Sequence, residues 1–291
     1  MKVAIVIASV GRPVELARWV EHCRRQTLAP GALIFSIASD ADIPAGFADP
    51  AVTVLRGPKG SCHQRNAGLD ALVASAPDVV AFFDDDYVPG RRCIEGIARV
   101  FAAHADLVGT TGHLLADGIH SAGIDYATAA AMVERYDAAQ TDIDTTLDDA
   151  WGTYGCNMAF RWSAVHDIRF DERLPLYAWQ EDVDFSRRLR DRGRIARTGA
   201  FAGVHQGVKG GRTAGQKFGY SQIANPLYLM RKGTMPVHEG LWLMARNVGS
   251  NHAKALRPEP WVDRKGRVAG NWRAVRDLVT GRLRPERILD F

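Results

Sequence analysis

Three consecutive aspartates, Asp84-Asp85-Asp86, directly follow the apolar run at residues 79–83. The apolar run indicates that these carboxylates emerge from the carboxyl end of a buried strand, the edge where open α/β sheets bind ligands. Adjacent carboxylates repel one another, and burying them without compensation is costly. A divalent cation resolves both problems, because Mg²⁺ and Mn²⁺ prefer carboxylate and phosphate oxygens. The trio predicts a cation site in which Asp84 and Asp86 point the same way; a solvated acidic turn is the alternative.

A second segment, residues 60–68, reads Gly-Ser-Cys-His-Gln-Arg-Asn-Ala-Gly. Gly60 precedes a predicted helix, whose first turn offers free backbone N–H groups to an anion. Arg65 adds a rigid fork of donors that suits a phosphate or a base edge. The segment therefore predicts a phosphate contact, with an ordinary capped amphipathic helix as the alternative.

A third segment, Trp179-Gln180-Glu181-Asp182-Val183-Asp184, places three carboxylates in the first turn of a predicted helix. The helix macrodipole favours negative charge there, so simple stabilisation of the helix start is one interpretation. Because Asp182 and Asp184 are two residues apart, they diverge on a helix, and only one of them is expected to face a cleft.

His205 follows a strand-like run at residues 200–204 and precedes a glycine-rich stretch. A histidine at the end of a strand is suited to metal ligation through a neutral ring nitrogen. A structural or exposed histidine is the alternative that the sequence leaves open.

The elements that must position these residues alternate along the first half of the chain. Apolar runs predict strands at residues 3–8, 32–37, 52–55, 79–83, 107–111 and 157–160. Helical spacing predicts helices at residues 13–26, 61–74, 91–104 and 182–192. Alternation of this kind predicts an α/β fold with a mostly parallel central sheet flanked by helices. Residues 127–150 indicate an alanine-rich helix followed by an acidic stretch, for which a mobile loop and an ordered segment are equally open.

Composition is that of a soluble globular protein, with 46% apolar and 24% charged residues in 291. The longest apolar runs are too short to span a bilayer, and the first residues lack the cleavage site of a signal peptide. The four cysteines, at positions 23, 62, 93 and 156, form no CxxC pair. These features exclude a zinc ribbon and a disulfide framework, and they predict reduced thiols in a cytoplasmic protein.

Charge is distributed unevenly. The segment from His205 to the end has 16 Lys and Arg against 6 Asp and Glu, a net charge of +10, and residues 1–204 have a net charge of −6. An acidic body with a basic tail predicts an anionic partner for the tail, either a phosphate-rich ligand or lipid headgroups. No nucleic-acid-binding module is recognised. We place a boundary at residue 205, followed by a basic helical region at 206–291.

The tail also carries the apolar run Leu241-Trp242-Leu243-Met244-Ala245, and Trp261 and Trp272 stand among arginines. Amphipathic helices of this composition either lie at a membrane surface or pack on the body of the protein. Both interpretations remain open from the sequence.

Taken in order, these motifs resemble family 2 of the glycosyltransferases, which have the GT-A nucleotide-diphospho-sugar fold. The first nucleotide-binding turn of that family resembles Ala8-Ser9-Val10-Gly11-Arg12-Pro13, although Ala8 and Val10 replace its usual proline and aromatic residue. The residues at 60–68 match its Gly…Ala-Arg-Asn…Gly segment, with Gln64 in place of the alanine. Asp40 matches the acidic residue that in this family contacts the uracil or an equivalent base of the nucleotide.

The same resemblance assigns expected roles to the remaining motifs. Asp84-Asp85-Asp86 resembles the DxD motif, in which Asp84 would contact the ribose or the donor sugar and Asp86 the metal. Glu181-Asp182 resembles the ED motif, whose aspartate is the catalytic base, and His205 stands where many members carry a metal-binding histidine. Residues 155–161 resemble the strand that borders the donor and acceptor pockets.

The resemblance thus implies a complete site. The expected nucleotide-sugar contacts are Ala8, Ser9, Arg12, Asp40, Gly60, Arg65, Asn66, Asp84, Asp85 and Asn157. The expected metal ligands for Mn²⁺ or Mg²⁺ are Asp86 and His205, the expected base is Asp182, and the acceptor side would include Trp179 and Glu181. Nucleotide-sugar binding is expected in residues 1–110 and the acceptor side in residues 111–205.

The activity that the resemblance implies is an inverting hexosyl transfer from a UDP- or GDP-sugar to a saccharide hydroxyl. Residues 281–288 resemble the closing segment of bacterial polysaccharide-assembly members. The implied acceptor is a saccharide linked to polyprenyl diphosphate, and the implied location is the cytoplasm or the cytoplasmic face of the inner membrane, in contact with anionic lipid.

Two other functions compete with this one. The pattern Asp84-x-Asp86-x-Val88 also fits phosphohydrolases of the haloacid-dehalogenase type, with Lys209 and the pair Asp182 and Asp184 completing the site. That motif normally follows the first strand of its fold, whereas at least three predicted strands precede it here. A catalytically silent nucleotide-sugar-binding scaffold is the third alternative.

Overall fold

A nine-stranded sheet forms the centre of the protein in the computed structural model, which describes residues 1–210 and 213–291. The strands are β1 Val3–Ser9, β2 Ala32–Ile37, β3 Val52–Arg56, β4 Val79–Asp84, β5 Tyr87–Pro89, β6 Leu107–Asp117, β7 Leu147–Asp149, β8 Asn157–Arg161 and β9 Arg194–His205. The helices are α1 Pro13–Arg24, α2 Ser61–Leu72, α3 Cys93–Ala103, α4 Tyr126–Ala139, α5 Trp162–Val165, α6 Glu181–Arg187, α7 Gly215–Lys232, α8 Val237–Ala255 and α9 Arg264–Val279.

The strand order is β3-β2-β1-β4-β8-β6-β9-β5, with β7 beside β9. Strands β3, β2, β1 and β4 are parallel, β8 is antiparallel to both β4 and β6, and β6 is parallel to β9. The ends of β4, β6 and β9 and the start of β8 therefore meet at one edge of the sheet. The α/β fold with flanking helices that the sequence predicts is confirmed.

Helices cover both faces of the sheet because its central strands are apolar on both sides. Trp19 of α1 packs against Phe83 and Tyr87 on one face, with ring centroids 5.0 and 6.5 Å apart. Helix α2 lies on the other face, where a Cβ at Gly68 would stand 2.4 Å from Val6 Cγ1. A glycine is thus required for α2 to approach the sheet. Each large apolar side chain buried in these layers contributes about 1.5–3 kcal/mol.

The structure defines the acidic stretch after α4. The sequence leaves a loop and an ordered segment open there, and residues 147–149 form β7, which pairs antiparallel with β9; Arg194 contacts Asp149 at 2.5 Å. The predicted helix at 182–192 ends earlier, at Arg187, and a 3-10 turn follows at Arg190–Arg192. Strand pairing over such a sequence separation overrides local propensity.

Helices α7, α8 and α9 pack on one another, and α7 packs on the body. Asn225 donates to the Trp179 carbonyl at 2.9 Å, and Lys232 Nζ lies 2.8 Å from Asp184 Oδ2. Packing on the body, one of the two open interpretations of the tail, therefore holds for α7. Within the described ranges, none of the helices is both long and apolar enough to cross a membrane.

Candidate active site

Asp84, Asp86 and His205 converge at the sheet edge where β4 and β9 end. His205 Nε2 lies 3.4 Å from Asp86 Oδ1 and 3.7 Å from Asp84 Oδ2, and one ligand atom of each residue lies within 4.8 Å of the others. The register causes this meeting, because β5 runs back along β9 and sets Tyr87 opposite His205. Two carboxylates and an imidazole form a donor set that can bind a divalent cation.

The surroundings of Asp86 fit such a cation. Its Oδ2 accepts from the Val208 N–H at 2.7 Å and lies 3.3 Å from the Arg12 guanidinium. Its Oδ1 is buried and makes no hydrogen bond within the part of the chain that the structure describes. Burial alone would raise the pKa of Asp86, but His205, Arg12 and the Val208 N–H lower it to about 2. An ionised oxygen that lacks a donor is the group that a cation would satisfy.

The other nitrogen of His205 binds a carboxylate that the sequence analysis missed. His205 Nδ1 lies 2.8 Å from Asp117 Oδ1, and Tyr154 donates to Asp117 Oδ2 at 2.9 Å. Burial opposes the charged ring, but Asp117 and Asp86 raise the pKa of His205 to about 10. The pairing of β6 with β9 contains three irregularities of register, so no local signal in the sequence places Asp117 beside His205.

Asp182 lies at the start of α6, half-buried. Its Oδ2 accepts from the Gly155 N–H and its Oδ1 from the Val183 N–H, both at 2.8 Å. Burial raises the pKa of Asp182, and these two N–H groups oppose the rise. A Cβ at Gly155 would stand 3.3 Å from Asp182 Oδ2, so the loop before β8 closely borders the carboxylate. Asp182 is thus a partly desolvated carboxylate held in a fixed orientation.

Arg65 joins the two acidic groups. Its guanidinium binds Glu181, lies 3.4 Å from Asp84 Oδ1 and donates to the Gly155 carbonyl at 3.1 Å. Burial opposes the charge of Arg65, but Glu181 and Asp84 raise its pKa further. The donors that the sequence assigns to a phosphate are therefore directed at carboxylates of the chain. This arginine links Asp84 to the Glu181-Asp182 pair.

Asp85 lies with Asp86 in the turn between β4 and β5, and the Arg12 guanidinium contacts both carboxylates, 2.7 Å from Asp85 Oδ1 and 3.3 Å from Asp86 Oδ2. Asp85 is buried and accepts from Ser9 Oγ at 2.6 Å and from Arg12 at 2.7 Å. Burial raises the pKa of Asp85 to about 7, with Arg12 opposing the rise. Asp85 and Ser9 thus bind each other and fix the turn after β1, and their expected nucleotide contacts stay predictions. Arg12 also donates to the Val208 and Gly210 carbonyls, at 3.0 and 2.9 Å.

The expected base contact, Asp40, is exposed and pairs with Arg56 at 2.7 Å. The buried carboxylate of that turn is Asp42, which accepts from the Gly11 N–H at 2.6 Å and from the N–H groups of residues 38 and 39. Asp42 therefore connects the end of β2 to the turn after β1. The predicted contact with the nucleotide base is assigned to Asp40, two positions before Asp42, and it stays a prediction.

Three further expected contacts serve the packing around the site. Asn66 is buried and donates to the Phe170 carbonyl at 3.0 Å, and Asn157 is buried and accepts from Thr111 Oγ1 at 2.6 Å. Gly60 has a φ of +147°, a conformation that favours glycine, and forms an isolated bridge to Leu176. The contacts of these three residues join segments of the chain around the site. Their predicted contacts with the nucleotide sugar stay predictions.

Gln64, the residue that replaces the alanine of the family segment, holds two strand ends together. Its Nε2 donates to the Ser9 carbonyl at 2.9 Å and to the Ser36 carbonyl at 2.6 Å. Ala8, beside Ser9, is half-buried and lies opposite Asp84 in the pairing of β1 with β4. Gln64 thus fixes the edge of the sheet at which the acidic residues emerge.

Trp179, which is expected on the acceptor side, is half-buried and contacts Phe218 of α7 edge to face, with ring centroids 5.8 Å apart. Tyr177 also contacts Phe218, at 5.9 Å. Helix α7 therefore supplies part of the aromatic surface beside α6.

The comparison with solved structures agrees with this architecture. Neither a family model nor a curated protein matches the chain. The crystal structure of S. aureus TarS 1-349 is similar over 97% of this chain and 92% of that chain, at 10% identity and a TM-score of 0.54. A second crystal structure of S. aureus TarS is covered over 40% of its length by 79% of this chain, at 12% identity and a TM-score of 0.48. At this level of identity the first likeness bears on the fold, and it confirms the predicted GT-A-like α/β fold.

Proposed function

We propose that the protein is a cation-dependent, inverting glycosyltransferase of family 2, which transfers a hexose from a UDP- or GDP-sugar to a saccharide hydroxyl. The observation that supports this proposal best is the placement of Arg65 between Asp84 and Glu181, with Asp182 alongside, at the ligand-binding edge of a GT-A fold. A group that could hold a cation and a separate carboxylate are thus linked through one arginine, which supports the proposal.

The donor half of the mechanism belongs to Asp84, Asp86 and His205. These residues would hold Mn²⁺ or Mg²⁺, which as a Lewis acid supplies charge neutralisation to a diphosphate leaving group. Asp84, held by Arg65 on one side, is positioned to contact the ribose or the donor sugar. Residues 1–110 would bind the nucleotide sugar and residues 111–205 would form the acceptor side.

The acceptor half belongs to Asp182. Two adjacent carboxylates compete for the role of base, but the carboxylate of Glu181 is buried against Arg65. Asp182 binds only backbone N–H groups in the contacts described above, so its carboxylate can take the proton of an acceptor hydroxyl. A single base on the opposite face of the sugar from the leaving group implies direct displacement and inversion at the anomeric carbon.

The contacts disfavour the phosphohydrolase alternative. Lys209 Nζ binds the carbonyls of Gly118 and Ile119, at 3.0 and 3.1 Å. Asp184 is buried and binds Lys232 and Thr234, at 2.8 and 2.7 Å. The two groups that this alternative needs are therefore occupied in structural contacts.

A panel of nucleotide sugars tests the proposal. In the presence of Mn²⁺, we expect a UDP- or GDP-sugar to raise the melting temperature, because a ligand at 100 times its Kd stabilises the native state by about 2.7 kcal/mol. The measurement is thermal unfolding with each sugar nucleotide, with the free sugars as controls. A protein that no sugar nucleotide stabilises, and that releases phosphate from a generic phosphoester, would contradict the proposal and favour the phosphohydrolase.

We also propose that the acceptor saccharide is carried on polyprenyl diphosphate and that residues 206–291 contact anionic lipid at the cytoplasmic face of the inner membrane. Trp242 of α8 and Trp272 of α9 are 60% and 62% exposed, and Arg246 lies over the Trp242 ring at 4.6 Å. Trp272 meets His252 of α8 at 5.9 Å, so the exposed faces of the two helices are neighbours. Exposed indoles among arginines are suited to a headgroup layer.

Vesicle flotation tests this contact. We expect the full-length protein to float with vesicles that contain anionic lipid, and the double variant Trp242→Ser and Trp272→Ser to float much less. The matched control is Trp151→Ser, since Trp151 is also exposed and lies under an arginine, Arg190, at 4.2 Å. Equal flotation of the double variant and the wild-type protein would argue against the proposed surface, as would a wild-type protein that stays at the bottom of the gradient.

A further inference from the structure

We infer that Asp117 and Tyr154 are positioning residues for the cation site, which hold the His205 ring so that Nε2 faces Asp84 and Asp86. The inference rests on the cation site of the proposed function. It assigns a role to two residues that no sequence motif singles out.

The first step is the pairing of β6 with β9, which sets Asp117 directly opposite His205 at the ends of the two strands. Asp117 Oδ1 lies 2.8 Å from His205 Nδ1. A carboxylate at that nitrogen fixes the ring orientation and makes Nδ1 the donor, so Nε2 is the nitrogen that binds a metal once the metal displaces its proton. The contacts of Nε2, 3.4 Å to Asp86 and 3.7 Å to Asp84, agree with this orientation.

The second step is that Asp117 is itself held. Its Oδ1 accepts from the Ile119 N–H at 3.0 Å, and its Oδ2 accepts from the Tyr154 hydroxyl at 2.9 Å. The Tyr154 ring also meets the His205 ring edge to face, with centroids 6.3 Å apart and planes at 85°. A carboxylate with donors on both oxygens cannot rotate freely, so Tyr154 fixes Asp117 and Asp117 fixes His205.

The experiment is a calorimetric titration of the full-length protein with Mn²⁺ alone, without a sugar nucleotide. We expect Asp117→Ala to weaken Mn²⁺ binding about 10- to 100-fold, the usual cost of losing the partner of a metal-binding histidine. Asp148→Ala is the control, since Asp148 is exposed on β7, and it should bind Mn²⁺ as the wild-type protein does. Wild-type affinity in Asp117→Ala would overturn the inference.

A double-mutant cycle separates positioning from general structure. If Asp117 acts through His205, Asp117→Ala should cost nothing further once His205 has been replaced by Ala, whereas additive losses would overturn the inference. Tyr154→Phe keeps the ring and removes only the hydroxyl, so it decides the matter if Asp117→Ala fails to fold. We expect it to weaken Mn²⁺ binding less than Asp117→Ala does, and unchanged binding would overturn the role of Tyr154.

Because the Mn²⁺ titration requires no turnover, failure of the positioning roles can be told apart from failure of the proposed function. A wild-type protein that binds Mn²⁺ but transfers no sugar would refute the glycosyltransferase proposal and leave the positioning roles standing. A wild-type protein that transfers sugar but binds no Mn²⁺ would refute the positioning roles and the Mn²⁺ site, and would leave the transfer reaction itself standing.

Discussion

Replacing Asp182 by Asn should abolish sugar transfer and leave donor binding intact. The amide has nearly the same size, and its oxygen can still accept one of the two backbone hydrogen bonds that hold the carboxylate. It cannot take a proton from the acceptor hydroxyl, and a general base is worth about 10²- to 10⁴-fold in rate. We therefore expect turnover to fall by at least about 100-fold, with no comparable change in stabilisation by the donor.

Turnover and donor-induced thermal stabilisation should be measured on the same preparations. Asp191→Asn is a matched control, because Asp191 is exposed on the 3-10 turn after α6 and should tolerate the same change. Near-normal turnover in Asp182→Asn would remove the assignment of Asp182 as the base.

The pH profile gives the same assignment a second check. Burial raises the pKa of Asp182, so the ionised base is lost at a higher pH than for an exposed aspartate. Transfer by the wild-type protein should therefore decline as the pH falls through that raised pKa.

Replacing Asp86 by Ala should remove cation-dependent donor binding and most of the transfer activity. Asp86 Oδ1 is the buried oxygen closest to His205 Nε2 in the described contacts, so its loss leaves the site with one buried ligand and the partly exposed Asp84. Lewis-acid stabilisation of a leaving group is worth several kcal/mol, which corresponds to about 1000-fold or more in rate.

The measurement is transfer and nucleotide binding as a function of Mn²⁺ concentration. Asp86→Ala also leaves the Val208 N–H without its carboxylate, so Asp86→Asn, which keeps an acceptor there, separates loss of the cation from disturbance of that loop. Unchanged Mn²⁺ dependence in both variants would contradict the metal role.

Features encoded by short runs of residues were predictable. The apolar run before Asp84 places the acidic trio at a strand end, and the predicted convergence of Asp84 and Asp86 agrees with the group that they form with His205. The order of the motifs identifies the fold, which the structural comparison confirms. These inferences depend only on residues adjacent in sequence or on motif order.

Features that depend on distant pairing were not predictable. Arg65 looks like a free phosphate donor until Glu181, 116 residues away, is brought against it. The placement of Asp117 requires an irregular register between two strands, and a 3-10 turn at Asp40–Asp42 buries Asp42 and leaves Asp40 exposed. These contacts cannot be predicted from one sequence, because each arises from tertiary packing rather than from local propensity.

Helix α7 packs on the body of the protein beside Asp182, so the C-terminal helices affect both that region and the exposed surface of the molecule. Lys232 and Thr234 bind Asp184, which lies two residues after the proposed base, Asp182. Asn225 donates to the carbonyl of Trp179, three residues before that base. The same bundle exposes Trp242 and Trp272 to the outside. A substitution that shifts α7 would therefore also shift the residues on both sides of Asp182, so the orientation of this carboxylate depends on the C-terminal helices.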